Sequence, residues 1–510
     1  MIKKITLLSI LFIFYGYFQG QVSGSLDSSF GTGGKTNSTH FVWQSINQIA
    51  TQADGKIIAV GQCATGSNNR NFYVVRYNSN GSIDTTFASS GFLNFDVNGG
   101  SYYDEAQTVK LQADGKILVG GVVGTVLDRY YLGVIRLNQN GTIDTTFGNQ
   151  GKSLFTMTGF TTSSVLNFRL SDIALQSDGK IVVAGLYNYK YSVARLNTDG
   201  SLDLDFSNDG KVTIDFGSSS ETAEKIKILS DSRILIGGSS NPSVAAWCML
   251  QPDGSLDTSF GTGGKRTFTP DSSFEFGTFF FLPDNSILVG GSISINGNNR
   301  DAALYKLSIN GTRDTTFGTN GRIVVDVDNS SSDSNIAKLD IDRTGKIYAV
   351  GTTQTGGSSY FYLLNFNNNG TLNPDFSFDG KVLVNFGGIS SYGQTVLLQP
   401  NGRVLVAGYT GGLKDSSSIA RFVNSPSLMS TAEIVLGSKL SISPNPATDY
   451  FMISDTKKIA NQKVEILDEL GRIVKILFIS ENNSRINISD LSSGVYLVKV
   501  NNITTKLIVK

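Results

Sequence analysis

Short apolar runs separated by tight polar turns fill the chain from residue 24 to residue 424. Runs such as IIAVG from Ile57, ILVGG from Ile117 and IVVAG from Ile181 are about one strand long, and each follows an Asp-Gly-Lys turn. No 3.6-residue apolar period accompanies them, which points to strands rather than helices. In the second unit the pattern predicts strands over 92–97, 106–112, 116–121 and 131–138. An Asp-Gly pair at 114–115 is expected to form a tight hairpin with positive φ at both central positions.

The pattern repeats. A G-[ST]-x-[DN]-x-x-F motif begins at Gly24, Gly81, Gly141, Gly200, Gly254, Gly311 and Gly370. Between copies lies the turn-and-strand motif, beginning at Ala53, Ala113, Ser177, Ser230, Pro283, Arg343 and Pro400. Units of this length with four strands each predict an all-β, seven-bladed β-propeller over 22–425; an open solenoid is the competing architecture. Fourth strands carry a cation eight residues before the motif's acid: Arg76 with Asp84, Arg136 with Asp144, Arg195 with Asp203, Lys306 with Asp314. Both charges vanish together at Asn365 and Asn373, and Met249 with Asp257 breaks the rule. Arg421 has no following motif, while Asp27 has no preceding strand. Each supplies what the other lacks, so Asp27, Phe30 and Arg421 are expected to close the ring.

Charge and composition narrow the functions. Lys+Arg and Asp+Glu are both 42, only 16% of residues are charged, and 56 are glycine. A neutral chain offers no field to draw in polyphosphate, so nucleic acid is not an expected partner. Lys3 and Lys4 before an apolar run from Ile5 to Tyr15, with Gly16 and Gly20 after it, predict a signal peptide over 1–20 and export through the periplasm. No transmembrane segment is expected in the mature chain. Cys63 and Cys248 fall in the first and fourth units, too far apart around a ring for a disulfide, so two buried thiols are expected.

The GSLDTSFGTGGK and DGKILVGG elements resemble the delta-60 repeats of bacterial surface proteins, over roughly residues 24 to 424. A linker over 426–438 follows. Residues 439–510, with SISPNPATDYFMI, KVEILDELGRIV and INISDLSSGVYLVKV, resemble the type IX secretion system C-terminal sorting domain. That likeness implies a small β-sandwich, passage through the outer membrane by the type IX machinery, and a final place in the medium or on the outer cell surface. An immunoglobulin-like adhesion domain shares the strand pattern.

Candidate chemistry is sparse. His40 is the one histidine, and no nucleophile-elbow, P-loop or CxxC motif is present. No cofactor or metal is expected. Acids that stand outside the repeat are Asp104, Glu105, Asp128, Glu221, Glu224 and Glu275. Loops joining first to second and third to fourth strands should share one variable face. The first set offers Trp43, Tyr102, Tyr103, Phe160 and Phe274 as ligand contacts; the second offers Arg70, Arg129 and Arg300. These residue types suit sugars or proteins. The expected function is a non-enzymatic binding or adhesion module for glycan or protein. A polysaccharide hydrolase or lyase is the alternative, since such enzymes need only two suitably spaced acids.

Overall fold

The computed structural model describes residues 22–424 and 441–509, apart from short segments at 65, 67–69, 100–102, 126–128, 158–167, 272, 295–298, 329–331, 388–389, 412–414, 455–461, 469–472, 480–484 and 501–502. The signal peptide expected over 1–20 and the linker expected over 426–438 lie outside the described residues. Contacts divide the chain into two units, Met1–Pro426 and Ser427–Lys510.

In the first unit the described residues form seven four-stranded antiparallel sheets, the blades of a propeller. Innermost strands run over Trp43–Thr51, Asp104–Leu111, Phe168–Leu175, Thr222–Ile228, Phe274–Phe281, Ser334–Ile341 and Ser390–Leu398, and each contacts the next around the ring. Second strands such as Ile57–Ala64 are buried along their whole length because a neighbouring blade covers each face. The apolar clusters accordingly lie between blades. One joins Val60, Phe72 and Phe87 of blade 1 to Val109, Val119 and Ile135 of blade 2.

Blade boundaries differ from the sequence expectation by one strand. Phe92–Phe95 pairs with Arg70–Tyr77, so it is the outer strand of blade 1 and not the first strand of blade 2. The G-S-x-D-x-x-F turn is the reason. Asp84 N donates to Arg76 O, and Arg76 N donates to Gly91 O, which returns the chain onto the strand it has just left. The hairpin turn differs too. Gly115 N donates to Gln112 O, and of the Asp-Gly pair only Gly115 has positive φ, at 84°. A β-turn followed by one left-handed glycine makes a three-residue connection rather than a two-residue one.

The seventh blade is made from both ends of the domain. Lys35–Ser38 pairs antiparallel with Ser416–Phe422 as its outer strand. Buried Arg421 donates from Nε to Asp27 Oδ2 at 2.9 Å and from Nη1 to Ser79 O of blade 1, with its guanidinium carbon 4.6 Å from the Phe30 ring centre. The same joint recurs at Arg76, Arg136 and Arg195, whose Nη1 atoms reach Gln139 O, Thr198 O and Pro252 O of the following blade. A second tie runs outside it. Lys152, Lys211, Lys265 and Lys381 donate to carbonyls just past the preceding blade's outer strand, and Lys35 does so to Asn385 O at 2.7 Å.

Met249 is explained by its neighbour. At that seam the Trp247 indole Nε1 donates to Ile309 O at 2.9 Å, the carbonyl an arginine would otherwise meet, while Arg233 Nη1 pairs with Asp257 at 2.9 Å. Where both charges are lost, Asn373 Nδ2 donates to Asn365 Oδ1 at 2.7 Å. Cys63 and Cys248 are buried free thiols, and burial pushes each thiol up to about 12.

The second unit holds a three-stranded and a four-stranded sheet among its described residues. Phe451, Ile453 and Ile486 of one sheet pack with Val464, Ile466, Val498 and Leu507 of the other in a single core. Asn445 Oδ1 accepts from Ile508 N at 2.8 Å, tying the Asn-Pro turn to the last strand.

Two outcomes are expected. Asp27→Ala should lower stability by about 3–5 kcal/mol by stranding the buried Arg421 guanidinium. Urea unfolding followed by circular dichroism checks this; a loss below about 1 kcal/mol would show that the joint does not hold the ring. Burial alone would raise the carboxyls of Asp27, Asp84, Asp144 and Asp203, but cation partners, joined by a hydroxyl at all but Asp203, outweigh it and hold each below its ordinary value. Their stabilisation is therefore complete above the unfolded-chain pKa of about 4 and is lost as pH falls through the depressed folded values. Thermal midpoints should fall steeply from pH 4 to pH 2, whereas between pH 7 and pH 4 the buried Asp104 carboxyl, pushed up to about 7, should raise them as pH falls.

Candidate functional site

Each innermost strand carries one extra residue relative to its partner strand. The register slips at Asn47, Gln107, Ser171, Glu224, Gly277, Ala337 and Gln394. A bulge re-aims side chains and frees backbone groups, and here neighbouring blades use them. Asn47 Nδ2 donates to Ala106 O, Gln107 Oε1 accepts from Leu170 N, Asp172 Oδ2 from Ile226 N, and Asp340 Oδ2 from Leu398 N.

Blade 5 departs from this ring. Its bulge residue is Gly277, where an added Cβ would lie 2.1 Å from Ile336 O. With no side chain there, Lys338 of blade 6 passes over to Glu224 of blade 4, Nζ to Oε2 at 3.4 Å, and Arg169 Nη1 meets Oε1 at 3.2 Å. Burial would raise the Glu224 carboxyl, but Arg169 and Lys338 hold it below its ordinary value. Burial also pulls the Lys338 ammonium down, against the pull of Glu224.

The small residues Gly277 and Ala337 leave a cleft of about 400 Å³ at the ring's mouth across blades 5 to 7. Asn335, Gln354 and Gln394 supply amides, and Tyr392 stacks on Tyr409 with ring centres 4.7 Å apart. Glu275 and Arg300 form an ion pair at 2.5 Å on its rim, and Asp333 Oδ1 accepts from Arg300 N at 2.8 Å. Apart from Arg300 and Glu275, none of these was singled out from sequence. The signal was present in the one inner-strand position where glycine and alanine replace long polar residues.

The eight proposed contacts separate. Trp43, Arg70 and Tyr103 come together between blades 1 and 2, with the Arg70 guanidinium carbon 4.8 Å from the Trp43 ring centre and 5.2 Å from that of Tyr103. Arg300 lies at the cleft. Phe274 is not on the face: it is buried between blades, edge-on to Tyr305 at 5.3 Å, because its position on the inner strand points into the inter-blade cluster. Tyr102 and Phe160 lie outside the described residues, and Arg129 is described in its backbone alone, at the start of the strand Arg129–Leu137.

The acids that stood out have local partners. Asp104 accepts from Val97 N and Gly124 N, and burial pushes it up to about 7. Glu221 accepts from Phe216 N and Ser218 N, shaping the same crossing loop in another blade. Glu105 accepts from Asn47, Gln62, Tyr103 and Gln107. Asp128 lies outside the described residues. His40 is exposed, 4.4 Å from the Phe92 ring centre, and burial of its ring lowers its pKa. Among the described residues no cluster of three metal-ligating side chains occurs.

Residues 52–87, 112–147, 176–206, 229–260, 282–317 and 343–376 match the family described as domain of unknown function (DUF5122) beta-propeller, and residues 441–510 match the secretion system C-terminal sorting domain. The chain is a propeller of this repeat family with a type IX sorting domain. Each matched stretch runs from a hairpin turn to the motif phenylalanine. The seventh blade's copy is split between the two ends of the propeller, so six contiguous matches accompany seven blades. The sorting domain makes this propeller an exported protein, destined for the medium or the cell surface, and implies engagement with the type IX machinery. No helix among the described residues is long and apolar enough to cross a membrane.

Solved structures similar to the propeller protein include PorZ, an essential surface component of the type IX secretion system of Porphyromonas gingivalis. Identity is 12% over 91% of this chain and 59% of that one, with a TM-score of 0.38, so the chain spans 59% of that component's length. A protein from Lactobacillus plantarum is 12% identical over 85% of this chain and 99% of its own, with a TM-score of 0.39. A polysaccharide lyase, ulvan lyase, is 9% identical over 76% and 96%, with a TM-score of 0.37. No curated protein matches the chain.

Lys338→Met is expected to destabilise the propeller by about 3 kcal/mol, since it removes one of the two cations facing the buried Glu224 carboxylate. Pairing it with Glu224→Gln should recover part of that loss. Chemical denaturation of the single and double variants decides it; strictly additive losses would show that the two side chains are not coupled.

Proposed function

We propose that this exported propeller is a non-enzymatic glycan-binding protein of the cell surface or medium, with the cleft across blades 5 to 7 as its contact site. The carrying observation is the lining of that cleft. Asn335, Gln354 and Gln394 provide amides, Ser292 and Thr352 hydroxyls, and Tyr392 a ring held in place by Tyr409. Sugars present a ring of hydroxyls with one apolar face, and amides plus an ordered aromatic match both at little entropic cost. A protein partner would instead favour a broader contact with a buried apolar centre.

Cleavage of a polysaccharide is the second reading. It is favoured by the two carboxylates at this cleft, Glu275 and Asp333. Against it, Glu275 is ion-paired with Arg300, and Asp333 Oδ1 is engaged by the Arg300 backbone.

The exported protein should give reproducible signals on a glycan array. Tyr392→Ala and Gln354→Ala should each weaken the best signal by roughly tenfold or more, the scale of a central contact residue. An array without hits, or hits indifferent to both substitutions, would reject the cleft as a glycan site. Release of new reducing or unsaturated ends from the bound polymer would replace the binding reading by the cleavage one.

A further inference from the structure

We infer that the propeller carries a second, anion-selective subsite at Arg70, and that its ligands are acidic glycans bearing carboxylate or sulfate-ester groups. The inference rests on the glycan-binding reading above and specifies the class of glycan.

Arg70 opens the third strand of blade 1, is exposed, and makes no ion pair among the described residues. The nearby carboxylate is Glu105, and it is already spoken for by four donors: Asn47 Nδ2 at 2.9 Å, Gln62 Nε2 at 3.0 Å, Tyr103 Oη at 2.8 Å and Gln107 Nε2 at 3.1 Å. These donors are neutral, so Glu105 keeps its charge, but its oxygens are occupied by them and it makes no direct ion pair with Arg70.

The guanidinium is also held in position. Trp43 and Tyr103 lie 4.8 and 5.2 Å from its central carbon, and Nη1 donates to Gln62 Oε1 at 3.3 Å. Tyr103 is fixed in turn by its bond to Glu105, and its backbone bridges to Arg70 itself. A long side chain ordinarily loses rotamer entropy when a ligand orders it; here most of that ordering precedes binding. The other arginines of the repeat bury their N–H groups at blade seams, on an aspartate and a neighbouring carbonyl. Arg70 is built differently, exposed and with the rings of Trp43 and Tyr103 beside its guanidinium.

A planar fork of N–H donors suits a group with two or more coplanar or tripod oxygens and one negative charge. Uronate carboxylates and sulfate esters share that chemistry, and the adjacent Trp43 and Tyr103 rings offer apolar surface to the sugar that bears them.

The test uses the full exported protein, titrated with three polymers of matched length: a uronate polymer, a sulfate-ester polymer and a neutral glucan. The expected result is preference for at least one acidic polymer over the neutral one, weakened by raising salt from 50 to 300 mM, since exposed charges are screened. Arg70→Gln should reduce the acidic-to-neutral affinity ratio by about tenfold, and Arg70→Lys should restore only part of it because an ammonium lacks the fork. The arm that keeps its preference names the oxyanion. An unchanged ratio in Arg70→Gln, with an unfolding midpoint equal to the parent's, overturns the subsite while leaving the cleft reading intact. Equal affinity for acidic and neutral polymers does the same. Failure of all three polymers to bind overturns both readings together.

Discussion

The propeller depends on one joint: a buried arginine that holds an aspartate of its own blade and a backbone carbonyl of the next. Arg421 makes it with Asp27 and Ser79 O, and Arg76, Arg136 and Arg195 repeat it. Apolar packing between blades is broad and non-directional. A charged hydrogen bond is not, because a buried guanidinium without its partners is costly. The clusters between blades therefore supply most of the attraction, while the arginine joint sets the spacing at which they pack.

Where the joint changes, its chemistry is conserved in a different form. Trp247 offers an indole N–H to Ile309 O, and Arg233 reaches Asp257 from the second strand. Asn365 and Asn373 replace charge by a neutral hydrogen bond. The Asn bond stays within its own blade, with the turn's Asn373 as donor and the strand's Asn365 as acceptor.

Much of this was legible in the sequence, because repetition turns a weak local pattern into a strong one. Seven copies of two motifs gave the architecture, and paired gain and loss of charge at Asn365 and Asn373 pointed to contact. Blade boundaries were harder, since Phe92–Phe95 is placed by hydrogen bonds between Arg76, Asp84 and Gly91 that leave no mark in hydrophobicity. Phe274 was misread for a related reason: an aromatic next to a loop looks exposed until the inner strand's phase is known, and a bulge shifts that phase. The cleft was missed because it is defined by what Gly277 and Ala337 lack, and missing side chains carry no motif. The grouping of Trp43, Arg70 and Tyr103 joins two strands of blade 1 to the residue that leads into blade 2, a relation visible only once neighbouring blades are packed.

The pairing of Lys35–Ser38 with the final blade has a consequence for chronology. Asp27 and Arg421 are 394 positions apart. Bringing such distant points together costs on the order of 5 kcal/mol in chain entropy if the intervening residues are unstructured, and far less once six blades already stand in an arc. A polypeptide delivered from its N-terminus thus carries its latch out first and must leave it open until everything else has been threaded through. The segment that waits longest for a partner is the one on which the finished circle hangs.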